Sequence, residues 1–168
     1  EKDDIALMWV GAIFAILLIA CIGYAFLYIQ HRDKASLFTA LYLSMLCIDM
    51  PLLSGKLRLI FPQFIELTLG LDQSLVALLA GIFFVVALRS YIPDDWDTKT
   101  WLRVLYYVGK ESMVIVVAWG IVLMGLAHAG FLDEGTVREQ AVWVAKTGRF
   151  SYLLAFPFCL ISAYLMYR

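Results

Sequence analysis

Long apolar blocks separated by short polar breaks are the dominant pattern along this chain. The clearest break is the run "HRDK" at residues 31–34, which lies between two such blocks. About 18 or more consecutive apolar residues suffice to cross a hydrocarbon core roughly 30 Å thick. In lipid every backbone polar group must be satisfied within its own segment, so these blocks predict helices. The pattern predicts five spans, at about residues 5–29, 36–53, 69–88, 112–132 and 150–167.

The composition agrees with this pattern. Of the 168 residues, 63% are hydrophobic and 16% are charged, whereas soluble domains carry about 45–50% apolar and about 25% charged residues. The predicted fold class is therefore all-α: a polytopic membrane helix bundle of about five transmembrane helices. One transmembrane domain is predicted over residues 1–168, and the chain is expected to be a fragment of a longer one.

The connection at residues 89–111 begins with polar residues and then becomes helical in pattern. Trp101, Leu102, Leu105 and Val108 recur at helical spacing. Two structures fit this spacing: a short helix lying in the headgroup region, or an extension of the fourth span beyond the membrane.

The search for catalytic and cofactor motifs in the sequence is negative. His31 and His128 fall on opposite sides of the membrane if the spans are right, and the three cysteines show no CxxC spacing. The motifs HExxH and GxSxG are missing from the sequence. The sequence therefore predicts no enzyme activity within this chain, no metal site and no cofactor.

Charge and hydropathy indicate which partners the chain has. A net charge of −1 gives no reason to expect nucleic acid as a partner. The expected partners are the lipid bilayer and other membrane helices or subunits, a second copy of this chain included.

Asp49 is the clearest ionisable residue inside a predicted span, one turn before the end of the second block. Lys56 and Arg58 follow closely and could pair with it. Burying a charge in lipid is costly, so such residues mark functional sites or paired anchors. Two interpretations stay open: a polar pocket that binds a ligand through Asp49, Lys56 and Arg58, or a charge network that anchors helix ends.

Pairs of small residues four positions apart predict close helix packing. They are Gly11 with Ala15, Ala77 with Gly81, and Gly125 with Ala129.

The first half of the chain carries several short motifs in a distinctive order. They are Tyr24, Phe26, Leu27 and Tyr28; the turn Arg32-Asp33-Lys34; Phe38 and Tyr42; Leu53-Ser54-Gly55; Phe61-Pro62; and the exit "VVALRSYIP". In this order they resemble the membrane domain of bacterial seven-transmembrane receptors with diverse intracellular signalling modules. The resemblance is best over residues 11–93.

The resemblance implies that the chain contains the first five helices of a seven-helix bundle in the bacterial inner membrane. It also implies that the N-terminus lies outside and that Arg32-Asp33-Lys34 is a conformational and topological turn. The function predicted from it is a receptor module that passes an extracytoplasmic signal to a cytoplasmic output. Two alternatives remain: an accessory or structural subunit of a larger membrane complex, and a small transporter or membrane enzyme with a polar site near Asp49.

Overall fold

The computed structural model describes residues 2–53, 71–92 and 100–167, and within these ranges the chain forms five α-helices. Four of these helices are long and apolar enough to cross a membrane, and no strand occurs in the described ranges. The prediction of an all-α membrane helix bundle is therefore confirmed. The helices are α1 (Lys2–His31), α2 (Lys34–Leu53), α3 (Leu71–Tyr91), α4 (Thr100–His128) and α5 (Glu134–Tyr167).

Helix α3 lies at the centre of the bundle and contacts α2, α4 and α5. Helix α1 packs on α2, and α4 packs on α5. The buried core lies between α3, α4 and α5, where Leu78, Met113, Val144 and Phe158 are almost fully enclosed. By contrast, no residue in the most apolar window of α1 is buried within the bundle. The outer surface of α1 is therefore available to lipid or to further helices.

The turn between α1 and α2 is built by Arg32 and Asp33. Arg32 adopts a left-handed backbone conformation, with φ of 55°, and its amide donates to the Tyr28 carbonyl at 2.7 Å. The Asp33 carboxylate then caps α2, because it accepts hydrogen bonds from the amides of Ala35 and Ser36 at 3.2 and 3.0 Å. These hydrogen bonds, with that of Ser36 first, lower the pKa of Asp33 below its ordinary value. The predicted turn thus has a local physical basis in these two residues.

The turn between α4 and α5 uses a glycine where the chain reverses. Gly130 has φ of 75°, and the Phe131 amide reaches back to the Leu126 carbonyl at 3.0 Å. This is the hydrogen bonding of a Schellman motif, which ends a helix at a left-handed residue. It accounts for the end of α4 at His128, before the predicted limit of that span at residue 132. Asp133 then caps α5 by accepting the Thr136 hydroxyl at 2.5 Å.

The connection that the sequence left open is, from Thr100 onward, part of a longer helix. Helix α4 begins at Thr100 and runs without interruption to His128, so the extension of the fourth span is correct and the separate interfacial helix is wrong. Helix α5 begins at Glu134, well before the predicted span. Its buried residues recur every three or four positions along one face: Val137, Ala141, Val144, Gly148, Ser151, Ala155, Phe158 and Ser162.

Two glycines that the sequence pattern did not select, Gly109 and Gly120, lie at close helix contacts. A Cβ at Gly109 of α4 would lie 2.8 Å from the Ala155 Cα of α5, and a Cβ at Gly120 would overlap the Leu75 side chain of α3. Gly11 and Gly125, which the sequence pattern selected, have nothing within 4 Å of such a Cβ. Of the three predicted pairs, Ala77 with Gly81 lies at a close contact, against Tyr152.

Candidate functional site

A cavity of about 300 Å³ lies between α3 and α5. Its volume is at the lower end of the range of about 300–1,000 Å³ that is typical of small-molecule sites. The residues that line it are Gln73, Ser74, Ala77, Leu78, Val144, Ala145, Gly148, Arg149 and Tyr152.

The spacing of these residues along each helix brings them to one cavity. Side chains three or four positions apart lie on the same helix face, as Ala145, Gly148 and Tyr152 do on α5. On α3 the lining begins at Gln73, in the first turn of the helix. The first amides of a helix have no intrahelical acceptor and carry partial positive charge. The cavity therefore combines an arginine, an amide side chain and a helix start in a partly apolar wall.

Tyr152 fixes the wall between the two helices. Its hydroxyl donates a hydrogen bond to the main-chain carbonyl of Ala77. Its ring occupies the space that a side chain at Gly81 would need. Since the hydroxyl proton is committed to Ala77, the oxygen of Tyr152 keeps its lone pairs for a donor.

Asp49 lies near the end of α2 and is not among the residues that line this cavity. The Oδ1 atom of Asp49 is buried and has no hydrogen-bond partner in the described part of the chain. A buried charged oxygen without a partner costs roughly several kcal/mol. A cation or donor supplied at this position would remove that cost.

Of the predicted ligand-binding residues Asp49, Lys56 and Arg58, only Asp49 lies within the described residues. Lys56 and Arg58 lie in the range 54–70, which the structure does not describe. The ligand-binding role of Asp49, Lys56 and Arg58 therefore stays a prediction. The structure instead places Tyr152 of α5 against Ala77 of α3.

Sequence reasoning missed Arg149 and Tyr152 as site residues. The available signal was an arginine at the border of the last apolar block, followed one helical turn later by a tyrosine. The sequence alone does not show that this face of α5 packs against α3, and the cavity forms only where the two helices meet.

In the described ranges, no group of three or more His, Cys, Asp or Glu side chains is arranged so that it could bind a metal ion. His31 ends α1 and His128 ends α4. Asp33 and Asp133 are committed to helix caps.

The curated proteins that match this chain are transport proteins. "Putative 2-aminoethylphosphonate transport system permease protein PhnV" of Salmonella typhi is 31% identical over 97 residues, which is 58% of this chain and 34% of that protein. The protein of the same name from Salmonella typhimurium is 31% identical over 97 residues, or 33% of its length. The chain thus spans about a third of the length of the curated relatives it matches. No family model matches the chain, and no solved structure matches it.

These relatives overturn the receptor prediction. They are named as permeases of a transport system and not as signalling proteins, so the predicted signalling function is wrong. Their name describes transport, and the absence of enzyme activity in this chain stays a prediction. The resemblance of residues 11–93 to receptor membrane domains is tested by none of these comparisons.

Helices and relatives together settle the location. The chain is a multi-pass protein of the bacterial inner membrane. Contact with lipid is supported by the four helices of spanning length and composition, and the expectation of other subunits stays a prediction. A homodimer stays a prediction.

Proposed function

We propose that this chain is part of a transport permease that carries a small phosphonate across the inner membrane. The observation that carries the proposal is the 31% identity over 97 residues to permease proteins named for 2-aminoethylphosphonate transport. This proposal takes up the alternative of a small transporter and joins it to that of a subunit in a larger membrane complex.

The described helices support a transport function in two ways. The bundle is polytopic, with four helices of spanning length and composition. It also contains a polar cavity bordered by Arg149, Gln73 and Tyr152, where a charged solute can meet the protein away from lipid. Unpaired ionisable groups near membrane depth are costly and commonly mark solute pathways.

The partners proposed for the chain are the other subunits of such a transport system. The exposed surface of α1 offers one place for them: Met8, Ile16, Ile19 and Ile29 are each more than 60% exposed. This apolar surface would be covered by lipid or by another subunit.

Growth on a phosphonate tests the proposal. A deletion of the gene in its own bacterium should prevent growth on 2-aminoethylphosphonate as the sole phosphorus source and leave growth on inorganic phosphate unchanged. Restoring the gene should restore growth. Equal growth of the deletion strain and its parent on the phosphonate would refute the proposed substrate class.

A further inference from the structure

We propose that the cavity between α3 and α5 binds a phosphorus oxyanion, which Arg149 of α5 and Gln73 of α3 hold together. The choice of phosphorus rests on the proposed transport function. The negative charge of the ligand rests on the residues that line the cavity. The proposal states which part of a phosphonate these helices recognise: its oxyanion.

Arg149 gives the cavity its charge. Among the described residues that line the cavity, Arg149 has a charged side chain and the other eight are neutral. No ion pair or hydrogen bond of its side chain occurs in the described part of the chain. A guanidinium presents several N–H donors in a planar fork, which matches the oxygens of a phosphate or phosphonate group. An anion is therefore the ligand that suits this wall.

The cavity lies where two uncharged stretches begin. Residues 75–88 of α3 and 150–167 of α5 carry no charged side chain, and Gln73 and Arg149 come just before them. Stretches of this composition belong in the hydrocarbon core, so the cavity lies near the level of the headgroups. Ionisable side chains at the border of a span commonly mark a solute pathway. Both water and lipid headgroups reach this level.

Gln73 is the second donor, on the helix facing Arg149. It lines the cavity from α3, and its side-chain amide has two N–H donors. The Tyr152 hydroxyl is not a further donor, because its proton goes to the Ala77 carbonyl. An oxyanion held by Arg149 and Gln73 links α5 to α3, so its binding should stabilise the folded bundle.

The rest of the lining suits an organic substituent on the phosphorus atom. Ala77, Leu78, Val144 and Ala145 give the cavity an apolar wall. The carbon chain of an alkylphosphonate can lie on this wall, and inorganic phosphate has no such chain. We therefore expect ethylphosphonate to bind about tenfold more tightly than inorganic phosphate, since burial of carbon adds to affinity.

A phosphorus oxyanion with an organic substituent occurs in two sources. One is a free alkylphosphonate, and the other is the phosphate of a phospholipid headgroup. Both present the same oxygens to Arg149 and Gln73, so the experiment has an arm for each source.

Calorimetric titration of the purified full-length protein with ethylphosphonate tests the site. Dodecyl maltoside is the detergent, because it contains no phosphate. Ethylphosphonate should bind and raise the melting temperature of the wild type. R149Q should weaken binding by about tenfold or more, and R149K should weaken it less, because lysine keeps the charge but not the fork. Q73A should weaken binding by about three- to tenfold, the effect of one lost hydrogen bond.

A second variant fills the cavity and keeps the arginine. A145L places a larger side chain at a lining position and should weaken binding by about tenfold or more, since the added carbons occupy the ligand's space. The controls K146Q and A163L change exposed residues of α5 outside the cavity and should bind as the wild type does. Melting temperatures without ligand show whether each variant is folded, and if R149Q does not fold, R149K and A145L decide.

The lipid arm uses the same proteins. If the headgroup is the occupant, phospholipid should copurify with the wild type and not with A145L, and ethylphosphonate should bind only after the lipid is removed. If the free solute is the occupant, added phosphatidylglycerol should leave the affinity for ethylphosphonate unchanged.

The site is refuted if folded R149Q and A145L bind ethylphosphonate as tightly as the wild type does, or if the wild type binds neither ethylphosphonate nor phospholipid. Equal affinities for ethylphosphonate and inorganic phosphate would refute the role of the apolar wall. Wild-type uptake of 2-aminoethylphosphonate by cells with R149Q would refute the site alone. Intact binding in a protein whose deletion leaves uptake unchanged would refute the transport function alone.

Discussion

The hydroxyl of Tyr152 in α5 donates a hydrogen bond to the main-chain carbonyl of Ala77 in α3. This bond joins two helices that are 75 positions apart in sequence at that point. It closes one side of the polar cavity. The Tyr152 side chain therefore contributes both to the packing of α5 on α3 and to the wall of the candidate site.

Tyr152→Phe removes this interhelical bond and keeps the ring. We expect the free energy of unfolding to fall by about 0.5–1 kcal/mol, since the Ala77 carbonyl retains its own helical partner. Reversible unfolding in mixed micelles measures the change. Tyr164→Phe is the matched control, because Tyr164 is 62% exposed on the same helix. An equal loss in both variants would mean that the bond to Ala77 does not stabilise the bundle.

Gly109→Ala tests the close approach of α4 and α5. The added Cβ would meet the Ala155 backbone at 2.8 Å, and backbone cannot move aside as a flexible side chain can. We expect a loss of about 1–3 kcal/mol in the free energy of unfolding. Gly125→Ala on the same helix has open space at the new Cβ, so it should be neutral or stabilise by up to about 1 kcal/mol through helix propensity. If Gly109→Ala instead raised the free energy of unfolding, the distance between α4 and α5 would have to be larger than in the structure.

Asp33 provides a pH-dependent contribution to stability at the first turn. Its pKa is lowered in the folded protein, so the contribution is present above the ordinary value of 3.8 and is lost as the pH falls through the folded-state pKa. Asp33→Asn keeps a capping oxygen and loses the charge. We expect its melting temperature to depend less on pH below about 4 than that of the wild type does.

Asp33→Ala removes the cap entirely. At neutral pH we expect the melting temperature to fall by about 2–4 °C, while Asp33→Asn changes it less. Thermal melts of the three proteins at several pH values make the comparison. An Asp33→Ala protein that melts like the wild type would show that the hydrogen bonds to Ala35 and Ser36 do not hold the turn.

The sequence was sufficient for the helical bundle because the hydrophobic pattern alone identifies long apolar helices. It was also sufficient to locate the polar break at residues 31–34, since charged residues between two apolar spans require the chain to leave the hydrocarbon core there. Helix ends were less predictable. The end of α4 depends on the left-handed Gly130 and the bond from Phe131 to Leu126, which hydropathy alone does not register.

The candidate site could be predicted only in part. Asp49 was visible because a carboxylate inside an apolar block is unusual. Arg149 and Tyr152 were not, because their significance depends on which face of α5 meets α3. The choice of Gly11 and Gly125 as contact glycines failed for the same reason: spacing identifies a face of a helix but not the helix that packs against it.

The central claim is transport of a phosphonate, and the initial rate of uptake of radiolabelled 2-aminoethylphosphonate tests it most directly. The rate is compared in the parent bacterium, a strain with the gene deleted, and the deletion strain with the gene restored. We predict that deletion removes at least nine-tenths of the uptake and that restoration returns it, with uptake of inorganic phosphate unchanged throughout. Equal initial rates in the parent and the deletion strain would contradict the claim.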